Sequence, residues 1–147
     1  MDATAPRRPG KGPRREKSTP GRELFAMKTI LVVDDEPLIR WAIREVLEDA
    51  GYAVVEAGTA REALAQVTAS GPFAVALLDL RLPDCDDLSL LRGVRRDAPA
   101  CRIVMMTAHG TPEVMAEAVR AGAFSTVSKP FDLARVVGLV EEAGAAA

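Results

Sequence analysis

No stretch of this chain is apolar for anything near the roughly 18 residues that a membrane helix needs. The N-terminus also lacks the apolar core of a secretion signal. Cysteine is scarce: Cys85 and Cys101 are too few for a disulfide framework, and in the cytoplasmic setting expected here they read as free thiols. Histidine occurs once, at His109, and no glycine-rich phosphate cradle is present, so a nucleotide is not the expected direct substrate. What is present is 48% hydrophobic and 27% charged residues in 147, a balance ordinary for a soluble globular chain. That length suits one domain, which would bury roughly 70% of the surface its unfolded form exposes.

The charge is uneven. Residues 1–26, MDATAPRRPGKGPRREKSTPGRELFA, hold seven basic residues against three acidic ones, or +4, which leaves −6 for the rest of a chain whose total is −2. This segment is rich in Pro, Gly and Arg and has no hydrophobic period. It is expected to be a disordered basic extension ahead of a domain spanning 27–147. Such a tail can touch nucleic acid, but its one aromatic residue is Phe25, beside the domain, and it has no partner motif, so a solvated extension or an early start codon is the plainer reading.

From Met27 the pattern is regular. KTILVVD (28–34) is a short, β-branched apolar run bounded by charge, which predicts a buried strand. Pro37 suits a first helical turn, and Ile39, Ala42, Ile43, Val46, Leu47 and Ala50 follow at helical spacing until Gly51 stops them. YAVVEA (52–57) predicts a second strand, and Thr59 can cap a helix running to Ser70-Gly71-Pro72. FAVALLD (73–79), CRIVMMT (101–107) and AFSTVS (123–128) predict three more strands. Helices are expected around Leu88–Val94, from Pro112 to Ala121, and from Asp132 to about Glu142. Five strands alternating with five helices imply a parallel α/β sheet covered on both faces. In such sheets ligands bind outside the carboxyl ends of the strands.

The residues at those ends carry the chemistry. The first strand delivers Asp34 and Asp35, the third Asp79, the fourth Thr107 and the fifth Lys129, while the second delivers nothing comparable. Any one of these has an ordinary role as a helix cap, turn residue or surface lysine. Their coincidence at one edge points further. Three carboxylates brought into one crevice repel, and a hard dication with room for waters, Mg²⁺, removes the conflict. A carboxylate held beside Mg²⁺ is a nucleophile toward phosphorus, and Lys129 and Thr107 can clamp the phosphoryl oxygens.

LVVDDEPLIRWAIREVLEDAGY, LLDLRLPD, MMTAHG and GAFSTVSKPFD together closely resemble the receiver domain of two-component response regulators, most nearly the nitrogen-regulation-type activators. The match covers about residues 27–143. The resemblance implies a flavodoxin-like doubly wound (βα)5 fold with strand order 2-1-3-4-5. It makes Asp79 the phosphoacceptor for a sensor histidine kinase. Asp35 and Asp79 would ligate Mg²⁺ directly, Asp34 would act mainly through water, and the Arg81 backbone carbonyl would contribute. Thr107 and Lys129 would contact the phosphoryl group, and the Lys129-Pro130 bond would be cis. His109 resembles a site that tunes loss of the phosphoryl group rather than a phosphohistidine.

Two positions depart from the family. Thr126 stands where an aromatic switch residue is usual, three positions before the lysine, so no ring can swing in behind Thr107. The change on phosphorylation is therefore expected to be modest and to run through residues 108–121. Asp87 replaces a usual glycine and could cap the next helix. The resulting expectation is a stand-alone, non-enzymatic receiver, monomeric or weakly dimeric. It would signal to a downstream protein through the face formed by the fourth helix, fifth strand and fifth helix, where Val114, Met115, Ala118 and Val119 supply apolar surface and core. The alternatives are a phosphorelay intermediate serving a histidine phosphotransfer protein and, from another class, an aspartyl-phosphate hydrolase. The hydrolase would need a further general acid and a cap domain. Direct DNA binding is not expected, because no helix-turn-helix pattern precedes Ala147.

Overall fold

The computed structural model describes residues 27–146; the basic extension, 1–26, lies outside them. Its elements alternate as β1 (Thr29–Val33), α1 (Pro37–Asp49), β2 (Ala53–Ala57), α2 (Ala60–Ser70), β3 (Val75–Asp79), α3 (Ser89–Asp97), β4 (Arg102–Thr107), α4 (Pro112–Arg120), β5 (Ser125–Ser128) and α5 (Leu133–Ala146). Every expected element is present. The strands begin one or two residues later than the apolar runs suggest, because apolarity reports burial rather than pairing. Phe73 is buried yet precedes the ladder, which opens where Val75 pairs with both Ile30 and Arg102. The last helix also runs past Glu142, since Ala143 packs into the core and continues its apolar face.

The sheet is parallel throughout, in the order β2-β1-β3-β4-β5. Alternation along each strand divides the core into two layers. Leu31, Val33, Ala76, Leu78 and Ile103 face α2 and α3 through Ala63, Val67, Leu91 and Val94. Ile30, Val32, Leu77, Val104 and Met106 face α1 and α5 through Ile43, Leu47, Val136, Leu139 and Val140. Both faces of every central strand are dry, which explains their unbroken apolar runs.

Register fixes what meets at the carboxyl edge. Val33 lies opposite Ala57 and Leu78, Asp79 opposite Met106, and Thr107 opposite Ser128. Asp34, the next residue along β1, therefore arrives level with Asp79, while Thr107 stands one residue and Lys129 two residues further out along the same edge. No helix among the described residues is long and apolar enough to cross a membrane.

Candidate functional site

Asp34 is fully buried, and every polar group it carries is engaged. Its amide donates to the Ala57 carbonyl at 3.1 Å, and its own carbonyl accepts from Arg40 Nη1 at 2.6 Å. Oδ1 accepts from the Glu36 amide at 2.9 Å, and Oδ2 accepts from Lys129 Nζ at 2.6 Å. A buried carboxylate is tolerable only when its lone pairs are met by charge and donors, and here they are. Asp35 differs: it is exposed, and among the described residues no hydrogen bond or ion pair reaches its carboxylate.

Asp79, at the end of β3, is buried with its Oδ1 accepting from the Arg81 amide at 3.2 Å and its Oδ2 from Lys129 Nζ at 3.2 Å. Burial raises its pKa above the ordinary carboxylate value, and the nearby Asp34 charge adds to this. The Arg81 amide and Lys129 oppose the rise without cancelling it. For Lys129, burial works against the ammonium, but the bonds and charges of Asp34 and Asp79 outweigh it and hold the pKa above the usual lysine value. The backbone sets the lysine's place, because its amide donates to the Thr107 carbonyl at 2.8 Å. The Lys129–Pro130 bond is cis, as the resemblance implies.

Thr107 is buried, and its Oγ1 accepts from the His109 amide at 3.1 Å. Its methyl lies over Gly110: a Cβ at that glycine would stand 2.6 Å from Thr107 Cγ2 and 2.7 Å from Met115 Cε. Glycine is therefore what lets the β4–α4 loop close between the strand end and α4. His109 is exposed, and its imidazole makes no bond to the site among the described residues. On α4, Ala118 is buried, Val114 and Met115 are half-buried, and Val119 is exposed.

Asp34, Asp35 and Asp79 each offer one oxygen such that the three atoms lie within 4.8 Å of one another. Three carboxylates face a single ammonium, so negative charge is in excess, and the donors are hard oxygens of which Asp35 is open. This donor set fits a small hard dication better than a soft or imidazole-seeking metal.

Three contributors do not follow from the strand-end reading. β2 does bring a site residue, Glu56, opposite Val32, whose carboxylate holds Arg40 Nε at 3.0 Å and Arg44 Nη1 at 2.8 Å. The signal was a charged residue inside the apolar run AVVEA. Asp84, in the loop after Asp79, accepts from the Ala60 and Arg61 amides at 2.8 and 3.0 Å and so caps α2 from a distance. Asp87 caps α3 one residue earlier than the usual cap position: Leu88 is the N-cap, while Asp87 Oδ1 accepts from the Ser89 amide at 2.9 Å.

Residues 30–141 match the family model of the response regulator receiver domain, and the chain belongs to that family. The DNA-binding transcriptional regulator NtrC of Salmonella typhimurium is 36% identical over 114 residues, covering 78% of this chain and 24% of that protein. The chain thus spans about a quarter of the length of the curated relatives it matches. The CheY-like receiver domain protein of Methanospirillum hungatei JF-1 superposes with a TM-score of 0.78 at 30% identity, covering 82% of this chain and 96% of that one. A Burkholderia pseudomallei response regulator, solved with a phosphorylated aspartic acid, a calcium ion and citrate, gives a TM-score of 0.71 at 28% identity, covering 81% of this chain and 69% of that one.

Proposed function

We propose that this receiver is the phosphoacceptor switch of a two-component pathway, taking a phosphoryl group from the phosphohistidine of a sensor histidine kinase onto Asp79. One observation carries the reading: the Asp79 carboxylate, held between the Arg81 amide and Lys129 Nζ, lies within 4.8 Å of oxygens from Asp34 and Asp35. The Burkholderia relative, solved with a phosphorylated aspartic acid and a calcium ion, supports it. Asp35, Asp79 and the Arg81 carbonyl would hold Mg²⁺ directly, with Asp34 acting through water. When bound, the ion neutralises the acid cluster and the charge on the phosphoryl oxygens.

The chain's own groups do the rest. Asp79 enters as the carboxylate, so no proton leaves it. One of its oxygens forms the new O–P bond as the donor's N–P bond breaks, the bonding pair leaving on the imidazole nitrogen. Lys129 and the Thr107 hydroxyl donate to phosphoryl oxygens as charge shifts onto them. The acyl phosphate persists until it is hydrolysed or passed on, and in this reading the protein is a switch rather than a turnover enzyme.

The output runs from Thr107 to α4. Turning its hydroxyl toward the phosphoryl group takes Oγ1 away from the His109 amide and moves the methyl packed on Gly110 and Met115. Thr126, half-buried on β5, offers no ring to relay that movement, so the loop and α4 carry it to the α4–β5–α5 face and a partner protein. Mass spectrometry after incubation with Mg²⁺ and phosphoramidate, a small N–P phosphodonor, tests the assignment. The wild type gains one phosphoryl group and Asp79→Asn gains none; equal labelling of both would place the acceptor elsewhere.

A further inference from the structure

We infer that Arg40 is a positioning residue for the dication site, its guanidinium tying the peptide between Asp34 and Asp35 to Glu56 on the neighbouring strand. The inference rests on the proposed reading of the acid cluster as a Mg²⁺ site. Arg40 stands on the first turn of α1 and spans two strand ends: Nη1 donates to the Asp34 carbonyl at 2.6 Å, and Nε donates to Glu56 Oε1 at 3.0 Å. Arg40 and Glu56 are both largely shielded, with side chains 20% and 26% exposed. Glu56 is steadied in turn by Arg44 Nη1 on its other oxygen at 2.8 Å. Gly58 leaves room for the arrangement, since a Cβ there would stand 3.0 Å from Arg40 Nη1.

The consequence falls on Asp35. Among the described residues no group holds its carboxylate, so its direction is inherited from the backbone before it. That backbone is fixed at both edges of Asp34: by the Ala57 carbonyl on the amide side and by Arg40 on the carbonyl side. A planar fork that reaches two acceptors at once does this; a lysine ammonium, a point donor on a flexible stem, does not reproduce it. The alternative, that Arg40 merely braces α1 against β2 or acts as a local charge, makes the opposite forecast. Arg40 is a cation beside a site meant for a cation. By charge alone its removal tightens Mg²⁺ binding, whereas loss of positioning weakens it.

Calorimetric titration of the full chain with Mg²⁺ separates these, with each variant's melting in EDTA showing that it is folded. Arg40→Gln and Arg40→Lys are each expected to weaken binding about tenfold, in line with other partners that orient metal ligands. Arg44→Gln, which removes a partner of Glu56 but no contact to Asp34, is expected to stay within about twofold of the wild type. In an Asp35→Asn background, Arg40→Gln is expected to add nothing further. Three results would each overturn the inference: Arg40→Gln binding as tightly as the wild type or more so, full recovery with Arg40→Lys, or an undiminished effect without Asp35. A wild type that binds no Mg²⁺ would instead remove the metal reading on which the inference stands.

Discussion

The Lys129 ammonium stands 2.6 Å from Asp34 Oδ2, an ion pair between residues 95 positions apart, with the aspartate side chain wholly buried and that of the lysine 14% exposed. It joins the first and fifth strands of the chain across the carboxyl edge of the sheet, and the same nitrogen reaches Asp79 Oδ2 at 3.2 Å. The lysine thus ties Asp34 to Asp79 before any ion or phosphoryl group arrives.

Removing that ammonium strands a buried carboxylate. Lys129→Met is expected to lower stability in EDTA by about 3–5 kcal/mol, the usual penalty for breaking a buried pair from one side. Millimolar Mg²⁺ should restore part of the loss by supplying the missing positive charge. Urea denaturation with and without the ion checks both points; unchanged stability in EDTA would mean the pair contributes nothing.

Glu56 gives a pH signature. Burial pushes its pKa up, but the bonds from Arg44 and Arg40 outweigh this and leave it below the ordinary glutamate value. A folded pKa depressed in this way contributes stability that is present above the unfolded pKa and is lost as pH falls through the folded one. In EDTA, the wild type should exceed Glu56→Gln by about 1 kcal/mol at neutral pH, a figure discounted for partial exposure. The gap should close as the medium is acidified through and below the normal glutamate range. A gap independent of pH would show that the arginines do not act on the ionised carboxylate.

Gly110 tests the route from the site to α4. Gly110→Ala would place a methyl against both Thr107 and Met115 and is expected to cost about 1–3 kcal/mol, as overpacking does. Adding Met115→Ala should recover much of that loss. With beryllofluoride as a phosphoryl mimic, amide exchange in the wild type should change modestly and mainly across residues 108–121, and Gly110→Ala should shrink that change. Large protection changes through β5 would mean the signal does not travel by this contact.

The two thiols report on packing. Cys101, buried at the foot of β4, has its thiol pushed up to about 11 by burial against a small opposing effect of Arg95, while Cys85 is half-buried in the loop after Asp79. At mildly alkaline pH a disulfide reagent should modify one thiol quickly and the other only after denaturant is added. Fast reaction of both in the native state would contradict the packing of β4 against α3.

The strand ends were readable because apolar runs buried on both faces stop abruptly at Asp34, Asp79 and Thr107, and such a stop needs no tertiary knowledge. Lys129 joined the set only through the inference that all five strands run parallel, which puts their last residues on one edge. The Arg40–Glu56 tie was not readable, since it depends on β1 lying beside β2 with Val32 opposite Glu56, a register that local patterning does not specify. Nor could adjacency say that Asp34 would be sealed and paired while Asp35 stayed open; the fifth strand's lysine decides that. The long-range cap from Asp84 to α2 escaped for the same reason, as its partners lie 23 and 24 residues away in the chain.

The central claim is that crowded acids from two adjacent strands become a phosphorylation site because a dication sits among them. It is tested most directly by timing acetyl phosphate labelling of the wild type in millimolar Mg²⁺ and again in excess EDTA. The account predicts one phosphoryl group per chain with the ion and essentially none without it. Labelling at the same rate in both would contradict it.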